Sequence, residues 1–165
     1  MEELKKTFTK IYEENNDALF RYCYYRISDR DKAKDLVQEV FTKTWGYVSS
    51  GNRVDNMRAF LYTTARHAII DEYRKKKTFS LDSILDQGVE VASSQGLSPE
   101  ILFDAQLAKH EILKLPESYR DILFMKFVND LSVRDIALSM KLSENVVSVR
   151  IHRGLHQLRK NLNKI

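Results

Sequence analysis

A chain of 165 residues with net charge +4 has room for one ordinary domain or two small ones. Its 43% apolar share excludes a disordered chain, and only two prolines and five glycines favour long helices over a many-turned β fold. The single cysteine, Cys23, excludes an internal disulfide framework, and neither a signal peptide nor an apolar run of roughly 20 residues is visible, so a cytoplasmic protein without membrane insertion is expected.

Apolar spacing predicts four helices before the first change of composition. The first covers Glu2–Glu14. Asn16 or Asp17 caps a second, through Ile27. Ser28 or Asp29 caps a third, running to about Val48, on which Ala33, Leu36, Val37, Val40, Phe41 and Trp45 recur at helical spacing. A polar loop, Ser49–Asp55, holds Gly51. The fourth helix runs from about Asn56 to Lys76, with Met57, Phe60, Leu61, Ala65, Ala68, Ile69 and Tyr73 as its buried stripe. Phe41, Trp45 and Phe60 read as core residues. Tyr22, Tyr24 and Tyr25 cannot share one helix face, so at least one is expected at the surface. Cys23 among them reads as a small buried residue.

Residues 1–77 carry 16 Lys and Arg against 12 Asp and Glu and end on Arg74-Lys75-Lys76-Lys77. From Thr78 to Ser98 there are three acidic residues, none basic, and no sustained helical stripe. That segment reads as an acidic, flexible linker, able to span ~66–70 Å if extended. Ser98-Pro99-Glu100 has the composition of a helix start. Residues 99–165 are again basic, 11 against eight, with helices predicted at Glu100–Leu113, Glu117–Val128, Ser132–Met140 and Glu144–Leu162. The expected fold is all-α: two small helical domains, 1–77 and 99–165, joined by the linker 78–98.

Leu131–Leu162 carries the strongest local signal. Ser132 caps a short helix bearing Ile136 and Ala137, a turn Met140-Lys141-Leu142 follows, and Ser143 caps a second helix. Val147, Ile151, Leu155, Leu158 and Leu162 fall within about 80° of one another on that helix. Asn145, Ser148, Val149, Arg150, His152, Arg153, His156 and Arg159 occupy its other surfaces. This is the pattern of a helix-turn-helix with a basic recognition helix for the major groove, although a solvated amphipathic helix has a similar composition. His152 and His156 have a metal-ligand spacing but no third ligand nearby, so no metal is expected. There is no Gly-rich phosphate loop and no supported nucleophile–base pair. The chain is therefore expected to be neither an enzyme nor dependent on a cofactor.

Leu115-Pro116-Glu117-Ser118-Tyr119-Arg120-Asp121-Ile122-Leu123, Leu131-Ser132-Val133-Arg134-Asp135-Ile136-Ala137 and the Ser143–Gly154 run closely resemble region 4 of bacterial RNA polymerase sigma factors. Independently, Asp35-Leu36-Val37-Gln38-Glu39-Val40-Phe41 with Trp45 resembles the polymerase-docking helix of region 2. Phe60-Leu61-Tyr62-Thr63-Thr64-Ala65-Arg66 and Ile70-Asp71-Glu72-Tyr73-Arg74 resemble its helix for the downstream promoter element. The order of the two regions, with only a linker between them, resembles the extracytoplasmic-function (ECF) subgroup of the sigma-70 family.

The resemblance implies core RNA polymerase and promoter DNA, duplex and locally melted, as partners, and an anti-sigma factor as a possible further one. It implies that Asp35, Gln38 and Glu39 face the polymerase. Arg66 and His67, with the Ser49–Asp55 loop, would meet the −10 strand, Tyr62 would stack on its bases, and Arg74 and Lys75 would hold phosphates. Ser148, Val149, His152 and Arg153 would enter the −35 groove, with Lys160 on phosphates. The chain departs from the family pattern at Lys141, where glycine is common, at Ser148, often basic, and at Val146, commonly small and hydroxylated. The alternative function is a stand-alone helix-turn-helix regulator, which predicts palindromic operator binding without polymerase.

Overall fold

The structure, a computed structural model, describes residues 1–79 and 99–164, with the backbone alone described over 77–79 and 99–105. All regular elements among them are helical, and they form two units. The predicted linker lies outside the described residues, apart from its first two positions.

The first unit contains α1 (Glu2–Ile27), α2 (Arg30–Ser49) and α3 (Met57–Phe79), each packed on the other two. Ser28 ends α1 in the left-handed region at φ 57°, its amide donating to the Tyr24 carbonyl. Asp29 then starts α2, its carboxylate accepting from the Lys32 amide at 3.0 Å. Asn56 does the same for α3, its side-chain oxygen accepting from the Ala59 amide at 2.9 Å. Leu19, Cys23, Ala33, Val40, Leu61, Tyr62, Ala65 and Ile69 are wholly enclosed, and the small Ala33 and Ala65 let the helix backbones approach.

Three expectations change here. The break expected at Asn16 or Asp17 does not exist, because α1 is continuous. The Asn15 amide donates back to the Ile11 carbonyl at 2.8 Å, and both halves of the helix have partners. Phe8 packs edge-on against Phe41 and Trp45, Tyr12 lies 4.7 Å from the Phe41 ring, and Leu19, Tyr22 and Cys23 are buried further on. Helix α3 continues to Phe79, two residues into the expected linker. Tyr73 is exposed instead of lying in the buried stripe, yet its hydroxyl donates to the Arg26 carbonyl and ties α3 to the end of α1. Of the three tyrosines, of which at least one was expected at the surface, Tyr22 is buried and Tyr24 and Tyr25 are both half-buried.

The second unit contains α4 (Pro99–Leu113), α5 (Glu117–Leu123), a π-helical segment Phe124–Val128, α6 (Val133–Met140) and α7 (Glu144–Leu162). Its core is Ile122, Leu123, Met125, Leu131, Ile136 and Val147, all fully buried, with Leu115 and Phe124 beside them. The sequence pattern placed one α-helix over Glu117–Val128. Instead the backbone widens after Leu123, and the Asn129 amide reaches the Phe124 carbonyl five residues back at 3.0 Å. Asp130, at φ 52°, then reverses the chain so that the Leu131 amide reaches the Met125 carbonyl at 2.9 Å.

Candidate nucleic-acid interface

The turn between α6 and α7 is built by local chemistry. The Ser132 hydroxyl accepts from the Asp135 amide at 3.0 Å and starts α6. At its end the Lys141 amide donates to the Leu138 carbonyl at 3.4 Å, and the Leu142 amide reaches Ala137 at 2.9 Å. This pair of bonds is the Schellman arrangement, and it requires a left-handed residue at its corner. Lys141 occupies that corner at φ 54°, ψ 45°, at a cost of about 1 kcal/mol for a side chain where glycine would fit freely. The Ser143 hydroxyl then accepts from the Val146 amide at 3.2 Å and starts α7.

Helix α7 packs on α4, α5 and α6. Val147 and Gly154 are its buried residues, while Ile151, Leu155, Leu158 and Leu162, which share a side of the helix with Val147, are each half-buried. A helix on the margin of a small domain meets its neighbours along a narrow seam, and these longer side chains straddle the edge of it. Away from the buried Val147 and Gly154, the side chains of Ser148, Val149, His152, Arg153 and Lys160 are all exposed. Beyond them His156, Arg159, Lys160, Asn163 and Lys164 line an open cationic notch at the end of the helix.

In the first unit, Asp35, Gln38 and Glu39 are exposed on α2, away from its buried Ala33, Leu36, Val37, Val40 and Phe41. The Glu39 carboxylate pairs with Lys43 at 2.5 Å. On α3, His67, Arg74 and Lys75 are exposed, and Arg74 lies 4.0 Å from Asp71. Arg66 is half-buried, with its Nε turned inward where it finds no hydrogen-bond partner among the described residues.

Tyr62 corrects the sequence reading. It is fully enclosed, its ring meeting that of Tyr22 at 5.2 Å in an edge-to-face contact, so no base can stack on it in this fold. An aromatic pair lies towards the surface instead, joining Tyr47, not singled out from sequence, to Phe60, which was read as core and is only half-buried. Tyr47, near the end of α2, sits 5.0 Å from Phe60 at an interplanar angle of 31°, and Tyr47 is exposed. Its position beside the Ser49–Asp55 loop was available in the sequence, but its pairing across that loop was not. Cys23 and Tyr22 are interior, and burial pushes both the thiol and the phenol up to about 12. Among the described residues no three His, Cys, Asp or Glu side chains are grouped to hold a metal, and no helix is long and apolar enough to cross a membrane.

Sigma-70 region 2 matches residues 11–79, and sigma-70 region 4 matches residues 106–158. The ECF RNA polymerase sigma factor SigW of Bacillus subtilis is 31% identical over 94% of this chain and 88% of its own length. This chain belongs to the ECF sigma factors of the sigma-70 family. ECF sigma factor SigX of the same organism is 25% identical over 96% of this chain and 85% of its own. The fold is also that of a sigma factor RpoE, solved with the anti-sigma factor NepR from Bartonella quintana. That chain has a TM-score of 0.77 at 24% identity, covering 96% of this chain and 98% of the other. CnrH, solved with the cytosolic domain of CnrY, gives a TM-score of 0.71 at 17% identity over 97% and 90%. A sigma factor is a non-catalytic initiation factor, and this one serves promoter-directed transcription.

Proposed function

We propose that this sigma factor docks on core RNA polymerase through Asp35, Gln38 and Glu39 and reads the two promoter elements with its two helical units. The observation that carries the reading is the outward face of α7, where Ser148, Val149, His152 and Arg153 stand exposed on the second helix of a helix-turn-helix. Such a helix enters the major groove by its N-terminal half, and the bidentate guanidinium of Arg153 suits a guanine edge. Lys160, in the cationic notch nearer the C-terminus, suits phosphates. In the first unit, Arg66, His67 and the Ser49–Asp55 loop take the melted −10 strand, with Arg74 and Lys75 on its backbone. Tyr62 takes no part. The acidic and amide side chains on α2 suit a basic partner surface, where complementary charge sets orientation and on-rate.

Residues 1–77 and 99–165 act as the two recognition domains in this scheme, with the linker setting their reach. The factor works in the cytoplasm, where the polymerase is, and an anti-sigma protein of the kind bound to RpoE is a further partner. The deciding experiment is in-vitro transcription with core polymerase and a randomised promoter library. Specific start sites that require both a −10 and a −35 element are expected. Tight binding of the isolated protein to a palindromic operator, without promoter-specific transcripts, would reject the scheme.

A further inference from the structure

We propose that Val146 and Val149 form an apolar contact on the groove side of α7 that selects thymine by its C5-methyl group, placing a thymine beside the base met by Arg153. This rests on α7 being the −35 helix.

Val149 is 38% exposed and Val146 37% exposed, on a helix whose other outward residues are polar or cationic. At about 100° per residue, Val149 stands about 160° from the buried Val147, near the middle of the outward face. Val146 lies about 60° to one side of it, one turn closer to the helix start, and its side chain is a neighbour of Val149 at i, i+3.

Neither valine serves the helix. A β-branched side chain loses χ1 freedom there, and an exposed position would favour alanine, lysine or glutamate. Neither serves the core, whose side of α7 is held by Val147 and Gly154. The Ser143 hydroxyl bonds the Val146 amide, which fixes the first turn of α7, from which Val146 projects, with Val149 following in the second turn. Recognition helices present this first part to base edges.

In the major groove the one apolar group a base pair offers is the thymine methyl, and a branched aliphatic side chain is its natural contact. Arg153 is four residues beyond Val149 and about 40° away around the helix, so the two side chains reach adjacent parts of the groove. The chemistry therefore pairs a methyl contact with a hydrogen-bond contact at neighbouring base pairs.

The test uses the full chain bound to core RNA polymerase and a −35 element selected from a randomised pool. Each thymine of that element is replaced singly by uracil, which deletes the methyl and leaves pairing intact. At one or two thymines, near the position sensitive to Arg153→Ala, uracil is expected to weaken holoenzyme binding about fourfold per methyl. At the same positions 5-methylcytosine is expected to bind better than cytosine. In Val146→Ala and Val149→Ala, both with good helix formers at exposed sites, the uracil penalty is expected to shrink at the matching position. A selected element without thymine overturns the proposal. So does wild-type indifference to uracil at every thymine while ordinary base substitutions remain costly, a result that leaves α7 as the −35 reader. Indifference to the base substitutions themselves would instead overturn that underlying reading.

Discussion

Gly154 of α7 lies so close to Leu123 of α5 that a Cβ added to it would stand 3.2 Å from the leucine Cδ1. The same added atom would be 3.3 Å from Tyr119 Cβ, which the α5 backbone holds in place. Larger side chains here would push α7 off its support. Gly154→Val is expected to destabilise the second unit by about 1–3 kcal/mol through overpacking. Denaturant unfolding of the full chain, followed by a probe in the second unit, checks this. An unchanged midpoint would show that α7 has room the structure denies it.

Alkaline pH is expected to act on the first unit through Cys23 and Tyr22. Folding raises the thiol from 9.0 to about 12 and the phenol from 10.0 to about 12, in both cases chiefly by burial. In the unfolded chain each group loses its proton first, so the unfolded state binds fewer protons between those values. Stability is full below about pH 9 and falls as pH rises toward 12, by up to about 1.4 kcal/mol per pH unit for each group. Cys23→Ala should remove the part that begins near pH 9 and leave the tyrosine part. The measurement is the denaturation midpoint from pH 8 to 11. A midpoint flat across that range would reject the linkage.

Much of this architecture was legible in the chain because the signals were local. Ser132 and Ser143 each cap the helix that the pattern assigned to them, Asp29 is the one of the two candidates Ser28 and Asp29 that caps α2, and Lys141 has the left-handed backbone that a glycine-favouring turn demands. Features that depend on tertiary partners were not legible. Asn16-Asp17 looks like a cap in isolation, but α1 passes through it, its first half packed against Phe41 and Trp45 of α2 and its second half meeting Tyr62 and Tyr73 of α3. Tyr62 has the composition of a base-stacking residue, and only the crossing of α1 and α3 reveals that Tyr22 covers it. The π-helical segment has no composition of its own and shows only in the folded backbone, where Asn129 bonds to Phe124 with Phe124 and Met125 buried.

Exposed on α2, Asp35, Gln38 and Glu39 are separate from the apolar side that holds the helix in place. Replacing Gln38 and Glu39 together by alanine is therefore expected to leave helicity intact while weakening binding to core polymerase severalfold, more so at low salt. Titration of core polymerase with labelled protein at two salt concentrations measures this. Equal affinity for the double variant and the parent would move the docking surface elsewhere.

Arg153 and Lys160 are both exposed cations on α7, yet they are expected to fail differently. Arg153→Ala should cost roughly 1–3 kcal/mol on the preferred −35 element and relax the preference at one position. Lys160→Ala should weaken all sequences alike and reduce the steepness of the salt dependence. Holoenzyme binding to single-base variants of the element, at two salt concentrations, separates the two. Should Arg153→Ala penalise every sequence equally, its guanidinium holds phosphate and reads nothing.

The π-helical segment Phe124–Val128 also bears on which changes of length this molecule can absorb. A π turn holds one residue more than the α turn it replaces, so the chain already carries a surplus residue at that point. Removing one residue there can relax the turn to ordinary α geometry and leave Leu131 and everything after it in register. The same deletion placed between Val149 and Arg153 rotates all that follows by about 100° and turns Arg153 away from the side that Val149 marks. Within one small helical unit, shortening by a single codon is thus a mild event at one address and a reorientation of the exposed face of α7 at another.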